Sequence, residues 1–192
     1  MKKKWDGDRD PLAALAAGDP ELFELFVRTE TGTLVGFFRR LGGSQSEIED
    51  LVQDTVVKLF RSANLYSAND RFEAYAFRAA RNVWIDSRRR AGVRGPVLSG
   101  SNEEDADLLM NVEGPEREPF ERLETVERAE VLRRAVAKLD EAHRIAFELG
   151  VIQGLPYSDV ARIIGIPVGT VKSRVHNAVG KLRDLLDVEG LS

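Results

Sequence analysis

SDVARIIGIPVGTVKSRVHNAVGKLR, from Ser158 to Arg183, reads as a helix, a tight turn and a second helix. Val160, Ile163 and Ile164 form one apolar stripe, and Val171 and Val175 stand one helical turn apart beyond the break. Gly165 marks the break, and Ala161, four residues earlier, is small enough for the second helix to cross closely. Pro167 suits the opening of that helix, where a missing N–H costs nothing. Between Val160 and Arg183 lie five bases (Arg162, Lys172, Arg174, Lys181, Arg183) and no acid. An apolar scaffold presenting a positive second helix is the pattern of a helix-turn-helix that lays this helix in the major groove of DNA. A plain helical hairpin with a solvated basic face is the alternative. Glycine, small residue, proline and charge together favour DNA.

The formal net charge of −4 conceals its distribution. Arg71 to Arg94 carries seven arginines against Glu73 and Asp86, and Glu103 to Glu124 carries nine acids against Arg117 and Arg122. Two basic blocks therefore flank an acidic one. At 192 residues the chain suits one large or two small domains. The absence of cysteine removes disulfides and thiolate metal sites and suits a reducing compartment. Trp5 to Asp10 is polar where an export signal needs an apolar core, and Leu12 to Ala17 is too short to span a membrane. A soluble, cytoplasmic protein is the expectation, with no membrane insertion of its own.

The rest of the chain reads as helical, with no period-2 strand pattern of useful length. Asp19-Pro20-Glu21 is a compact helix start. Leu22, Leu25 and Phe26 open an apolar face that continues, after an expected break near Gly32, through Leu34, Phe37 and Phe38. Gly42-Gly43 ends that helix, and Ser46-x-x-Glu49 offers a capping box to the next, expected over Glu47 to Phe60. Asp70 and Glu73 are expected to cap the helix that carries AYAFRAARNVWIDSRRR. From Ala91 onward Gly, Pro, Ser and acids mark a linker, in which DADLLMN (105–111) is a candidate helical turn. Helical periodicity resumes near Leu123. The fold class expected is all-α: two small helical domains, 10–95 and 123–187, joined by a flexible acidic linker over 96–122.

IEDLVQDTVVKLF, then FEAYAFRAARNVWIDSRRR, and after a linker GLPYSDVARIIGIPVGTVKSRVHNAVGKLR, together resemble a bacterial RNA polymerase sigma factor of the small extracytoplasmic-function (ECF) class. The resemblance covers nearly everything outside the linker. The last block alone is shared with response-regulator output domains, whereas the blocks in this order and at this distance are highly specific. A stand-alone helix-turn-helix transcriptional regulator is the alternative, and a sigma mimic that sequesters an anti-sigma factor is a third reading.

The resemblance implies roles residue by residue. Glu49, Asp50, Gln53 and Asp54, on the polar side of their helix, fall where the family docks on the core polymerase. Asn69, Arg71, Arg78, Arg81, Asn82, Arg88 and Arg89 fall where it binds the minus-10 element, with Asn82 at the pocket for a flipped base. A positive track for phosphates beside a polar pocket is what single-stranded DNA requires. Tyr75, Phe77 and Trp84 can stack on bases, although aromatics at helical spacing more often belong to a core. Gly169, Thr170, Lys172, Ser173, Arg174, His176 and Asn177 match the positions that read the minus-35 element. Asn177, Val179 and Gly180 depart from the family, which commonly carries bases there, and Pro156 replaces a capping serine, so that helix is expected to start at Ser158. Core RNA polymerase, promoter DNA and an anti-sigma factor are the partners implied. No His/carboxylate cluster has metal spacing and no glycine-rich loop suggests nucleotide binding, so neither a cofactor nor catalysis is expected.

Overall fold

The computed structural model describes residues 5, 7, 9–67, 71–92 and 131–188. Among these the fold is all-α, without a strand. The chain runs α1 (Pro11–Ala16), α2 (Glu21–Leu41), α3 (Gln45–Ser62), a 3-10 turn (Ala63–Leu65) and α4 (Phe72–Arg90). It resumes as helix over 131–137, then α5 (Glu141–Phe147) with a π-turn at Glu148–Ile152, α6 (Tyr157–Ile164) and α7 (Val168–Val188). The linker expected over 96–122, with its candidate turn at 105–111, lies outside the described residues, as do Leu123, Val126, Asn69 and Asp70.

Three local expectations are corrected. Helix α2 runs unbroken through Gly32. Apolar residues on both sides of that glycine are buried on one face, and Thr29 and Thr31 donate back to the carbonyls of Leu25 and Val27 inside the helix. Tertiary burial thus outweighs the roughly 1 kcal/mol that one glycine costs. The capping box at the start of α3 is Ser44 with Glu47, two residues earlier than the spacing suggests. Gly42 adopts a left-handed φ of 98° and the Gly43 N–H bonds back to the Phe38 carbonyl at 2.9 Å, so the turn closes in two residues and brings Ser44 to the cap. Helix α6 starts at Tyr157 rather than Ser158, with Pro156 before it.

The Glu47 carboxylate receives the Ser44 N–H at 2.9 Å and its hydroxyl at 2.7 Å, and it pairs with Arg88 on α4. Burial by itself raises the Glu47 pKa; the Ser44 hydrogen bonds and the Arg88 cation outweigh it and set the net shift downward. A lowered native pKa means that this contribution is present above 4.5, the group's ordinary value, and is lost as the pH falls below it. Ser44→Ala is expected to destabilise the protein by about 1 kcal/mol, read as a shift in the urea midpoint at neutral pH.

The packing joins the two helical groups. One buried cluster contains Leu34, Phe37, Phe38, Ile48, Leu51, Phe77 and Trp84 from the first and Ile145, Leu149, Val160, Ile163, Val171 and Val175 from the second. Polar contacts reinforce it. Arg40 donates to the Glu148 carboxylate through Nε at 2.7 Å and Nη2 at 2.8 Å, and Gln153 adds a third donor at 2.8 Å. Arg144 reaches the Leu41 carbonyl at the end of α2 (2.9 Å), and the Trp84 indole N–H donates to Glu141 (3.1 Å). Two smaller cores complete the structure. Trp5, Phe26 and Phe72 meet edge to face at 4.7–5.5 Å beside α1, and Val136, Leu139, Phe147, Ala178 and Leu182 close the far end.

Candidate functional site

Helix α3 offers a continuous polar face. Glu49, Asp50, Gln53 and Asp54 are all exposed, while Ile48, Leu51, Val52, Thr55 and Leu59 hold the opposite side in the core. Asp54 has an Arg90 guanidinium 3.9 Å away, a loose pair between exposed groups. Next to this acidic face, Val57 and Phe60 are exposed, Phe60 by 57%. They extend it with apolar surface, and the Phe60 ring also meets Phe23 at 6.1 Å between centres.

Helix α4 carries the basic track. Arg71 and Arg89 are exposed, and Arg78, Arg81, Asn82 and Arg88 are half-buried along one side. The helix can present this side because its other residues, Ala74, Ala76, Phe77, Ala80, Val83 and Trp84, are buried. Of the three aromatics that could stack on bases, Phe77 and Trp84 belong to the core, the more usual place for aromatics at helical spacing. Phe77 packs against Phe37 at 5.4 Å and Trp84 lies under Arg88, whose guanidinium carbon is 4.3 Å from the ring centre. Tyr75 is half-buried against Tyr66.

Helices α6 and α7 form the helix-turn-helix. Gly165 adopts φ 73°, the left-handed conformation that lets the chain turn within three residues. Val160, Ile163, Val171 and Val175 are buried between the two helices, with Ile164 half-buried beside them. That packing turns Gly169, Lys172, Ser173, His176 and Asn177 outward as one exposed surface, with Thr170 and Arg174 half-buried at its edge. The Thr170 carbonyl accepts the Ser173 hydroxyl at 3.0 Å. Gly180 lies past this surface and has open space around it.

The geometry adds a juxtaposition that the sequence did not suggest. Arg81, Arg88 and Arg89 of α4 face Arg174 of α7 across a cleft of about 630 Å³, floored by Ile85 and Ile145. Burial pushes the Arg81 guanidinium pKa down, against the favourable pull of the Glu141 carboxylate. The Nε atoms of Arg81 and Arg88 are buried there without a hydrogen-bond partner. Among the described residues, no group of three or more His, Asp or Glu side chains is placed to hold a metal ion, and no helix is long and apolar enough to cross a membrane. His143 bonds through Nδ1 to Asp140 at 2.7 Å, at the N-terminus of α5, and the same carboxylate accepts Lys181 of α7 at 3.2 Å.

Comparison with known proteins places the chain in one family. A model described as Sigma-70 region 2 matches residues 26–94, and one described as Sigma-70, region 4 matches residues 129–182. The RNA polymerase sigma factor NccH of Alcaligenes xylosoxydans xylosoxydans is 33% identical, over 92% of this chain and 94% of its own. The sigma factor CnrH of Cupriavidus metallidurans is 30% identical over 96% of both chains. A structure titled as CnrH in complex with the cytosolic domain of CnrY superposes on 95% of this chain and 99% of its own, with a TM-score of 0.66 and 26% identity. The structure of the sigma factor RpoE with the anti-sigma factor NepR from Bartonella quintana shares the fold over 82% of this chain and 92% of its own (TM-score 0.60, 24% identity). A stand-alone regulator is not favoured, because the match extends through region 2 as well as the helix-turn-helix. The chain belongs to the sigma-70 family, in its ECF class, and is an RNA polymerase sigma factor.

Proposed function

We propose a division of labour along the chain in which 10–95 is a region 2-like domain, 96–122 a linker and 123–187 a region 4-like domain. The exposed face Glu49, Asp50, Gln53 and Asp54 docks on core polymerase. Asn69, Arg71, Arg78, Arg81, Asn82, Arg88 and Arg89 hold the minus-10 element, with Asn82 receiving an extruded base. Gly169, Thr170, Lys172, Ser173, Arg174, His176 and Asn177 meet the minus-35 element, where Lys172 serves phosphates and Arg174 and Asn177 serve base edges. The polymerase does the chemistry, and this chain supplies recognition and strand opening without catalysis of its own. It acts in the cytoplasm, where polymerase and promoter DNA are found, and an anti-sigma partner controls it, as RpoE pairs with NepR. The observation that carries this reading is the occurrence of an acidic docking face, a basic track and a basic reading helix in one chain, in the family's order.

Reversing charge at Asp50 and Asp54 together is expected to weaken association with core polymerase about 10-fold, because carboxylates that meet cations become like charges. Pull-down with core enzyme at moderate salt reads the effect. Retention equal to that of the parent chain removes α3 as the docking face. Failure of the parent chain itself to associate removes the whole reading.

A further inference from the structure

The two helical groups pack face to face in the protein by itself. We propose that this closed arrangement is self-held, with the Arg40–Glu148 pair as its latch, and that the chain must open to read a promoter. Two separate observations lead there.

The first is geometric. On the contact assignments proposed above, α4 and α7 hold two separate elements of one duplex, which rises about 3.4 Å per base pair. In the closed form α4, carrying the minus-10 track, lies against α6 of the helix-turn-helix. Arg81 and Arg88 then share one cleft with Arg174 of the reading helix. Side chains lining one cleft cannot reach two separate elements of a single duplex at once. The closed form is therefore incompetent for promoter reading on those assignments.

The second observation is the nature of the contact. Glu148 is fully buried, and its carboxylate is met by two donors from Arg40, 108 positions away in sequence, and one from Gln153. Gly36 makes room for the arginine, since a Cβ there would stand 3.0 Å from its Nη1. At the same seam Arg144 reaches the Leu41 carbonyl, and a Cβ on Gly42 would stand 3.3 Å from Arg144 Nη1. The carboxylate of this pair is buried and the guanidinium partly so, an arrangement that adds little net stability and here selects one geometry. Intact, it about balances its desolvation; with one partner removed, a charge is left buried only as long as the seam stays closed. The apolar cluster supplies the attraction, and the pair selects this one closed geometry. Neither member belongs to the docking face or the DNA-contact set, so the latch can be altered without touching either.

The experiment measures a distance in the free chain. Because the protein has no cysteine, Ser46→Cys and Arg183→Cys, both at exposed positions on opposite sides of the seam, accept spin labels cleanly. Without any partner, the parent chain is expected to give one short distance. Arg40→Ala should add a long-distance population and raise the open-to-closed ratio by at least about 10-fold. Replacing both partners by apolar residues, Arg40→Met with Glu148→Leu, removes the stranded charge and should restore the short distance. Three results overturn the latch: a broad or long distance in the free parent chain, an unchanged distribution in Arg40→Ala, or a double variant as open as the single one. No polymerase or DNA enters the measurement, so its failure is separable from failure of the docking and promoter-contact assignments.

Discussion

Phe37→Ala is expected to destabilise the protein by about 3–5 kcal/mol, the range for a buried aromatic truncated in a core that cannot collapse around the void. Phe37 has no exposed surface, and it meets Phe38 at 5.3 Å and Phe77 at 5.4 Å between ring centres. It stands in the cluster that receives residues from both helical groups, so the void opens beneath the seam as well as within region 2. Urea titration followed by far-UV circular dichroism provides the measurement. A loss below about 1 kcal/mol would show that neighbours fill the space and that the cluster is not the structural centre.

An Asn82→Ala variant is expected to open promoter DNA about 10- to 100-fold more slowly than the parent, with binding to core polymerase unchanged. The half-buried Asn82 sits between Arg81 and the buried Val83 on α4, one helical turn after Arg78. An amide supplies one acceptor and two donors, enough to pair with the edge of an unstacked base. Removing it leaves that edge unsatisfied in the pocket, a loss of about 1–3 kcal/mol. Permanganate footprinting of single-stranded thymines reads the opening step directly. Equal reactivity in variant and parent would move base capture to another residue.

Much of this molecule was legible because its signals are local. The left-handed glycines at 42 and 165, the apolar spacing of α3 and the alternation of basic and acidic blocks are all written within a few residues of where they act. The misplaced capping box shows the limit of that reading. Both Ser44 and Ser46 precede an acid by three positions, and only the tightness of the Gly42–Gly43 turn decides which serine reaches the cap. The break expected at Gly32 failed for a related reason: local propensity says nothing of the burial waiting on either side. In the site, the outward surface of α7 followed from the burial of Val171 and Val175 and was readable. The exposure of Phe60 was not, since helical spacing does not say where along a helix the core stops. The pairing of Arg40 with Glu148 leaves no local trace at all, because two polar residues far apart in sequence look like ordinary surface until the fold brings them together.

The shared cluster has a consequence for how the chain is made. Residues 34–84 complete one wall of it, and the other wall begins only at Ile145 and ends with the second helix of the helix-turn-helix. A ribosome adding about 5–20 residues per second delivers Ile164 some 4–16 s after Trp84. Over that interval the nascent region 2 lacks Ile145, Leu149 and Val160, which complete the cluster. Synthesis therefore imposes a brief, obligatory period of stickiness. Slow codons placed between positions 92 and 145 would lengthen it, and a chaperone that binds exposed aromatic surface should be found most often on ribosomes paused there.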